Sequence, residues 1–207
     1  MTDALSARTV RVIDDRPRCW WSSNDPSNPD PLMVAYHDAE WGIAVHDDVE
    51  LFERLALESF QAGLSWSTIL RKREAFRQAF RGFDPAVVAA FSSRDRARLM
   101  ADAGIVRNAA KINATIGNAA AIRAIQAAFG SFDRYLIDRL GVHVPRLPAT
   151  ATSADVPATT PAATALSADL RRHGLRFVGP TIVYAFMQSV GLVDDHLPGC
   201  FRYIGPR

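Results

Sequence analysis

The sequence has little cysteine and little lysine. Only two of its 207 residues are cysteine, and its 24 basic residues include only two lysines, Lys72 and Lys111. A small extracellular domain held together by several disulfides is therefore excluded, because such domains need at least four cysteines. Mechanisms that use a lysine amine as the nucleophile are left with two candidate residues.

Long apolar runs are also missing. No segment approaches the roughly 18 residues needed to cross a bilayer, and the first 18 residues lack the apolar run of a secretory signal. We therefore expect a cytoplasmic protein without membrane contact. With 48% hydrophobic residues, residues 17–207 can form one helical domain, with two lobes possible, and residues 1–16 are expected to be a mobile tail.

The net charge of +2 is unevenly distributed. Residues 1–70 carry five basic and twelve acidic side chains, residues 71–111 carry ten and four, and residues 112–207 carry nine and six. A basic middle segment suits contact with phosphates, because neutralised phosphates release counterions. A solvated helix face explains the same pattern equally well, so charge alone does not identify a partner.

Capping residues and apolar spacing predict an all-α chain. Asp47 begins one helix, which ends near Gly63, and Ser65 caps a second helix, which Gly82 closes. Residues 142–161 contain four prolines and predict a surface connection, and strand signals are nearly absent. The remaining predicted helices begin at Pro85 and at Ser92 or Ser93, and occupy about 107–129, 132–140, 161–174 and 180–191.

Two cysteine and histidine pairs lie at opposite ends of the chain. Cys19 and His37 are near the start, and His196 and Cys200 are four residues apart near the finish. Two sulfurs and two imidazoles suit tetrahedral zinc, and a closed set of four protein ligands would make it structural. A disulfide and a pair of inert thiols are the alternatives. The other histidines are expected to be surface or capping residues: His46, His143 and His173.

Residues 175–181 lie between the last two predicted helices and contain a glycine at a turn. This arrangement is typical of a helix-hairpin-helix, in which backbone N–H groups bind a DNA phosphate. The candidate DNA-binding residues are Phe177, Val178, Gly179 and Thr181. An ordinary turn with a glycine cap explains the pattern as well.

Glu58 is placed near the end of an otherwise apolar helix, and Trp66 follows just beyond the next turn. A carboxylate among apolar residues is a candidate pocket acid, although an isolated glutamate is more often solvated. Trp21, Tyr36 and Trp41 form an aromatic group near the start of the chain, where core packing is the alternative role.

Several short motifs occur in an order that resembles the 3-methyladenine DNA glycosylase I family. They are Cys-Trp-Trp at 19–21, Ala-Tyr-His-Asp-Ala-Glu-Trp-Gly at 35–42, Gln-Ala-Gly-Leu-Ser-Trp at 61–66, Phe-Val-Gly at 177–179 and the His196 and Cys200 ending. The resemblance implies an all-α helix-hairpin-helix glycosylase fold. It also implies a structural Zn²⁺ that joins the N- and C-terminal segments through Cys19, His37, His196 and Cys200.

The resemblance further implies a base pocket in which Glu58 accepts hydrogen bonds from the lesion, with Tyr36, Trp66 and Trp21 as its aromatic walls. The expected reaction is base flipping in alkylated double-stranded DNA followed by hydrolysis without strand cleavage, carried out by a monomer without a protein partner. A non-catalytic damage-binding module and a glycosylase for another alkylated purine such as 3-methylguanine are the alternatives.

Three features depart from the family pattern. The stretch Asn24–Pro31 is an apparent insertion between two of the expected zinc ligands. Pro180 removes one backbone N–H from the hairpin. Asp194 precedes Asp-His where relatives often have asparagine, and we expect it to support His196 or cap the backbone rather than to act in catalysis.

Overall fold

The computed structural model describes residues 14–22 and 29–205. These residues form no β-sheet, only one isolated bridge, and none of their helices is long and apolar enough to span a membrane. The prediction of an all-α chain is thus confirmed. The α-helices of the described residues are α1 (Pro31–Ala39), α2 (Asp48–Gln61), α3 (Trp66–Ala79), α4 (Pro85–Ala89), α5 (Ser93–Ala101), α6 (Ala109–Phe129), α7 (Phe132–Leu140), α8 (Pro161–Arg172) and α9 (Pro180–Ser189).

Local side chains start most of these helices by accepting a backbone N–H that has no partner in the first turn. Asp47 accepts from the N–H of Glu50 at 2.9 Å to begin α2, and Ser65 accepts from the N–H of Thr68 at 3.2 Å to begin α3. Because these capping signals are local, the predicted positions of α2 to α9 are confirmed to within a few residues.

Helix α1 is the element that sequence analysis does not identify. Asp30 accepts a hydrogen bond from the N–H of Leu32 at 3.1 Å, and Pro31 occupies the first helical position. The apparent insertion 24–31 therefore ends as a helix start, while its residues 24–28 lie outside the described part.

The expected tail 1–16 lies outside the described residues except for residues 14–16. Within that short piece, the Arg16 guanidinium lies 3.3 Å from Asp38 and 4.3 Å from the centre of the Phe201 ring. These contacts join Arg16 to helix α1 and to the last described residues.

Helix α2 is at the centre of the packing and contacts α3, α6, α7 and α9. All ten residues from Leu51 to Phe60 are buried, including four polar ones. A helix buried on every side has to pair its polar side chains internally. Three of the four do so, and the exception is Glu58.

A smaller hydrophobic cluster lies beside the main core and joins the two ends of the described chain. It consists of Cys19, Tyr36, Trp41 and Cys200, with further aromatic residues packed around them. The N–H of Phe201 donates to the carbonyl of residue 17 at 2.9 Å, which ties the two segments together.

The close approach of Gly191 to a neighbouring loop generates a stability prediction. Gly191 has φ +72°, and a Cβ there would lie 2.6 Å from the backbone of Ile43 and Ala44, whereas Gly130 at φ +92° has open space around it. Gly130→Ala incurs about 1–2 kcal/mol of left-handed strain. Gly191→Ala incurs that strain and also displaces the neighbouring backbone, which lowers the free energy of unfolding by about 1–3 kcal/mol more. Urea unfolding measures both, and equal losses would contradict the contact.

Candidate active site

A cavity of about 440 Å³ lies between the main core and the smaller cluster. Trp21, Tyr36, Trp41 and Trp66 line it. The ring centres of Tyr36 and Trp66 are 5.2 Å apart, and those of Trp21 and Trp41 are 4.9 Å apart. The structure thus brings the predicted aromatic residues together around one space, and its volume is that of a small-molecule site.

Glu58 lines this cavity from helix α2, and its side chain has no hydrogen-bond donor among the described residues. Burial raises its pKa to about 8, and the positive charge of Arg54, one helical turn earlier, opposes that rise. Arg54 is held by Glu40 at 2.6 Å and Glu50 at 2.9 Å. At neutral pH the carboxyl group of the empty cavity is therefore mostly protonated.

Two more polar groups interrupt the aromatic walls. The indole N–H of Trp66 is buried and has no acceptor among the described residues. Burial, with the nearby charge of Glu58, raises the pKa of Tyr36, so its phenol stays neutral. Glu58, Tyr36 and Trp66 thus add a carboxyl group, a phenol and an N–H donor to the aromatic faces, which is a set suited to a flat polar ring.

Sequence reasoning missed the wall that α9 and the following loop contribute. Thr181, Tyr184 and Gln188 line the cavity, together with Asp195. The three helical residues are spaced at i, i+3 and i+7, so they share one face of α9. That spacing is the sequence signal that could have identified this wall. Thr181, predicted only as a hairpin residue, also lines the cavity.

The proline-rich connection 142–161 is predicted to be a surface segment that buries little. Most of it is exposed, but residues 156–158 line the cavity. A short 3-10 turn at Ser153–Asp155 precedes them, stabilised by hydrogen bonds from Thr152 to the Asp155 carboxylate. The other lining residues are Trp20, Met33, Gln61, Ser65, Ser67 and Ala185.

Three of the four predicted metal ligands form a buried cluster. The ligand atoms of Cys19, His37 and Cys200 all lie within 4.8 Å of one another. Both cysteines are free thiols, so the disulfide alternative is not formed. The hydrogen bond from Cys19, opposed by burial and supported by His37, lowers the pKa of the Cys200 thiol, toward the thiolate form that binds metals.

The fourth predicted ligand, His196, lies beside the cluster, with its ring centre 5.1 Å from that of His37. Its Nδ1 is 2.7 Å from Asp194, while its Nε2 is buried and has no partner among the described residues. The Nδ1 of His37 is likewise 2.8 Å from Asp38. Each carboxylate holds one ring nitrogen, so that the Nε2 atoms are the ones left to bind a metal. Asp194 has the supporting role that its position predicts.

The hairpin between α8 and α9 is fixed by three buried polar side chains from three helices. Asn118 donates to the carbonyl of Arg176 and accepts from its N–H, at 2.9 and 2.8 Å. Ser59 and Ser167 donate to the next two carbonyls, at 2.9 and 2.6 Å. With these carbonyls held inside, the N–H groups of residues 177–179 have no acceptor among the described residues.

The predicted hairpin residues differ in exposure and conformation. Phe177 is exposed and has φ +56°, whereas the side chain of Val178 is fully buried, so only its backbone is available to a partner. Gly179 has an ordinary φ of −64°. Gly179 thus lies at the turn as the N-cap of α9, while the left-handed conformations nearby are those of Gly174 and Phe177.

The basic segment 71–111 is largely used inside the protein. Arg73 and Arg77 pair with Glu53, at 2.7 and 2.9 Å. Lys72 donates to two backbone carbonyls, and Lys111 donates to the carbonyls of residues 60 and 62 at the end of α2. These bonds account for much of the local charge without a phosphate partner.

The three predicted non-ligand histidines lie at the surface or, for His173, at a helix cap.

The raised pKa of Glu58 predicts how stability depends on pH. Between the ordinary pKa of 4.5 and about 8, the folded chain holds a proton that the unfolded chain has lost, so stability falls as the pH rises across this window. Glu58→Gln stays neutral and should escape this loss. We expect its Tm to match the parent at pH 5 and to exceed it by several degrees at pH 8.5, at roughly 2–4 °C per kcal/mol.

Scanning calorimetry at both pH values measures this difference. Glu74→Gln on the exposed face of α3 is the matched control, and it should show no such pH dependence. A Glu58→Gln difference that is the same at both pH values would contradict the assignment.

Known proteins are similar to this chain in sequence and in fold. The methyladenine glycosylase family matches residues 26–203. DNA-3-methyladenine glycosylase 1 of Escherichia coli (strain K12) is 45% identical over 188 residues, which cover 91% of this chain and 97% of that protein.

Solved structures agree with the sequence comparison. A 3-methyladenine DNA glycosylase I crystal structure has a TM-score of 0.83 at 43% identity, over 91% of this chain and 100% of that chain. A variant of 3-methyladenine DNA glycosylase I in complex with 3-methyladenine has a TM-score of 0.81 at 38% identity, over 84% and 94% of the two chains. The chain therefore belongs to the methyladenine glycosylase family.

Proposed function

We propose that this protein is a DNA repair glycosylase that hydrolyses the N-glycosidic bond of 3-methyladenine in alkylated double-stranded DNA. The observation that carries the proposal is the Glu58 carboxyl group, buried without a donor in an aromatic cavity of about 440 Å³. The bacterial relative is named for this activity, and a solved relative holds 3-methyladenine.

Recognition follows from the charge of the lesion. Methylation at N3 makes the adenine of DNA cationic, and an aromatic face attracts a cation by about 0.5–2 kcal/mol. A cation beside Glu58 also lowers the pKa of that carboxyl group, so the loaded cavity favours the carboxylate, which accepts from the exocyclic amino group. Normal adenine has no charge to offset the desolvation of Glu58, so it is bound less well.

The same argument favours adenine over guanine lesions. The carboxylate of Glu58 accepts hydrogen bonds, and adenine presents an amino group at position 6 where guanine presents an oxygen. Two acceptors facing each other in a buried site repel. A 3-methylguanine substrate is therefore the weaker candidate.

Cleavage is proposed to be simple hydrolysis by water. The Nζ atoms of both lysines donate to backbone carbonyls, and neither residue lines the cavity. An amine that forms a Schiff base with the sugar thus has no candidate at this site. The cationic base leaves as a neutral molecule, so departure does not need a strong acid.

The hairpin is proposed as the site that holds the DNA backbone. The N–H groups of Phe177, Val178 and Gly179 have no acceptor among the described residues, and neither does that of Thr181 at the start of α9. Such N–H groups at a helix start bind phosphate without reading sequence. One chain carries both the hairpin and the cavity, which supports action as a monomer.

We propose in addition that Cys19, His37, His196 and Cys200 bind a structural Zn²⁺. The support is chemical: two buried thiols, of which one is shifted toward thiolate, and two imidazoles whose Nδ1 atoms are fixed by carboxylates. The orphaned Nε2 of His196 has a partner if a metal is bound. Four protein ligands would leave no position for a reactive water.

The test of the function is the release of free base from methylated duplex DNA. We expect the protein to release 3-methyladenine well above the spontaneous rate, and 3-methylguanine more slowly. Glu58→Gln should weaken the binding of free 3-methyladenine by about 0.5–1.5 kcal/mol, the range for an ordinary hydrogen bond, because the released base is neutral. Calorimetric titration measures this loss, with Glu74→Gln as control.

Two outcomes would overturn these assignments. Binding of methylated DNA without any base release would identify a damage-binding module instead of an enzyme. Undiminished affinity of Glu58→Gln for the free base would remove Glu58 from recognition while leaving the reaction itself in place.

Metal analysis tests the zinc proposal. We expect one zinc per chain in the purified protein, and His196→Ala should lower the Tm by roughly 5–10 °C, because the binding energy of a structural zinc is folding energy. His143→Ala, an exposed histidine outside the cluster, is the matched control. The proposal would be refuted if the purified parent protein contained no metal and His196→Ala had the same Tm as the parent.

A further inference from the structure

Asp195 is a second buried carboxylate on the wall of the cavity that holds Glu58. It follows α9 in the chain, and its Oδ2 accepts hydrogen bonds from the hydroxyl of Tyr184 and from Nε2 of Gln188, the latter at 2.7 Å. Both donors lie one turn apart on α9 and also line the cavity. Two donors on the same oxygen fix the orientation of the carboxylate.

The other oxygen of this carboxylate, Oδ1, has no protein donor among the described residues. It is also not one of the fully buried side-chain atoms that lack a hydrogen-bond partner among the described residues, so part of its surface is accessible. Since Asp195 is only 6% exposed and the surface it has left lines the cavity, Oδ1 is the oxygen available there. A side chain with one oxygen bound by the protein and one free is arranged to hold something that enters the cavity.

The proposed reaction leaves a task for such a group. As the bond between C1′ and N9 breaks, its electron pair moves to N9, the base leaves neutral, and the sugar becomes positively charged. The oxygen of a water molecule then bonds to C1′, and the proton that this water loses passes to the solvent. A fixed anion beside the sugar stabilises the developing charge and accepts a hydrogen bond from the water. Other glycosidases divide such work between two carboxyl groups.

We propose that Asp195 is a catalytic residue of this glycosylase, whose Oδ1 orients the attacking water and stabilises the positive charge on the deoxyribose. Tyr184 and Gln188 are positioning residues that act through Asp195. Glu58 then serves recognition of the base, and Asp195 serves hydrolysis. This assignment rests on the glycosylase function proposed above.

The experiment compares Asp195→Asn with the parent protein in two measurements. The first is the single-turnover rate of 3-methyladenine release from methylated duplex DNA at saturating protein, and the second is the affinity for free 3-methyladenine. Because asparagine keeps the shape but loses the charge, we expect the rate to fall by about 100-fold and the affinity to change less than about twofold. Zinc content and Tm are measured on the same samples.

An undiminished release rate in Asp195→Asn, with the parent active, would overturn the assignment and leave the glycosylase function intact. If the parent protein released no 3-methyladenine, the proposed glycosylase function itself would be wrong. A parallel loss of rate and of free-base affinity would show that Asp195 only shapes the pocket, which also overturns the assignment.

A second variant covers the case in which Asp195→Asn fails to fold. Tyr184→Phe removes one donor from Oδ2 and leaves the charge in place. We expect about a tenfold slower release with unchanged affinity for the free base. An unchanged release rate in this variant would contradict the role of the fixed carboxylate.

Discussion

The proposed recognition of the lesion depends on a carboxyl group that is buried without a hydrogen-bond donor among the described residues. Glu58 lies in the last turn of helix α2, within a stretch that is buried on every side, where an ionised group is costly. Arg54 lies one turn away and reduces that cost only in part, since the pKa of Glu58 still rises to about 8. A cationic ring that enters the cavity supplies the missing partner. Instability of the empty site and selectivity of the loaded site thus have the same physical origin.

The proposed metal cluster and the cavity are built from neighbouring residues. Tyr36 lines the cavity and His37 joins the cluster, and the same alternation recurs at Asp195 and His196. Any displacement of the cluster therefore moves a cavity wall. In this view the join between the two ends of the described chain does more than stabilise the fold, because it sets the distance between the aromatic wall and helix α2.

The sequence predicts elements whose signals are local and misses those that depend on tertiary contacts. Capping residues such as Asp47 located α2 to α9 because a cap acts within one turn. Helix α1 has a local start signal in Asp30 and Pro31, but that stretch was interpreted as part of an insertion, and the burial of α1 against the smaller cluster is invisible along the chain. The position of Glu58 on an apolar helix made it a candidate, and the family resemblance supplied its expected role, since an isolated glutamate is more often solvated. The role of Asp195 needed coordinates, because its two donors and its free oxygen are defined only in space.

The central claim is that the Glu58 carboxyl group is protonated in the empty cavity and ionised by the lesion. The most direct measurement is an NMR titration of its ¹³C-labelled carboxyl carbon, with and without a non-cleavable cationic base analogue. We expect a pKa of about 8 in the free protein and a clearly lower value in the complex. A pKa near the ordinary 4.5 in the free protein, unmoved by the cation, would contradict it.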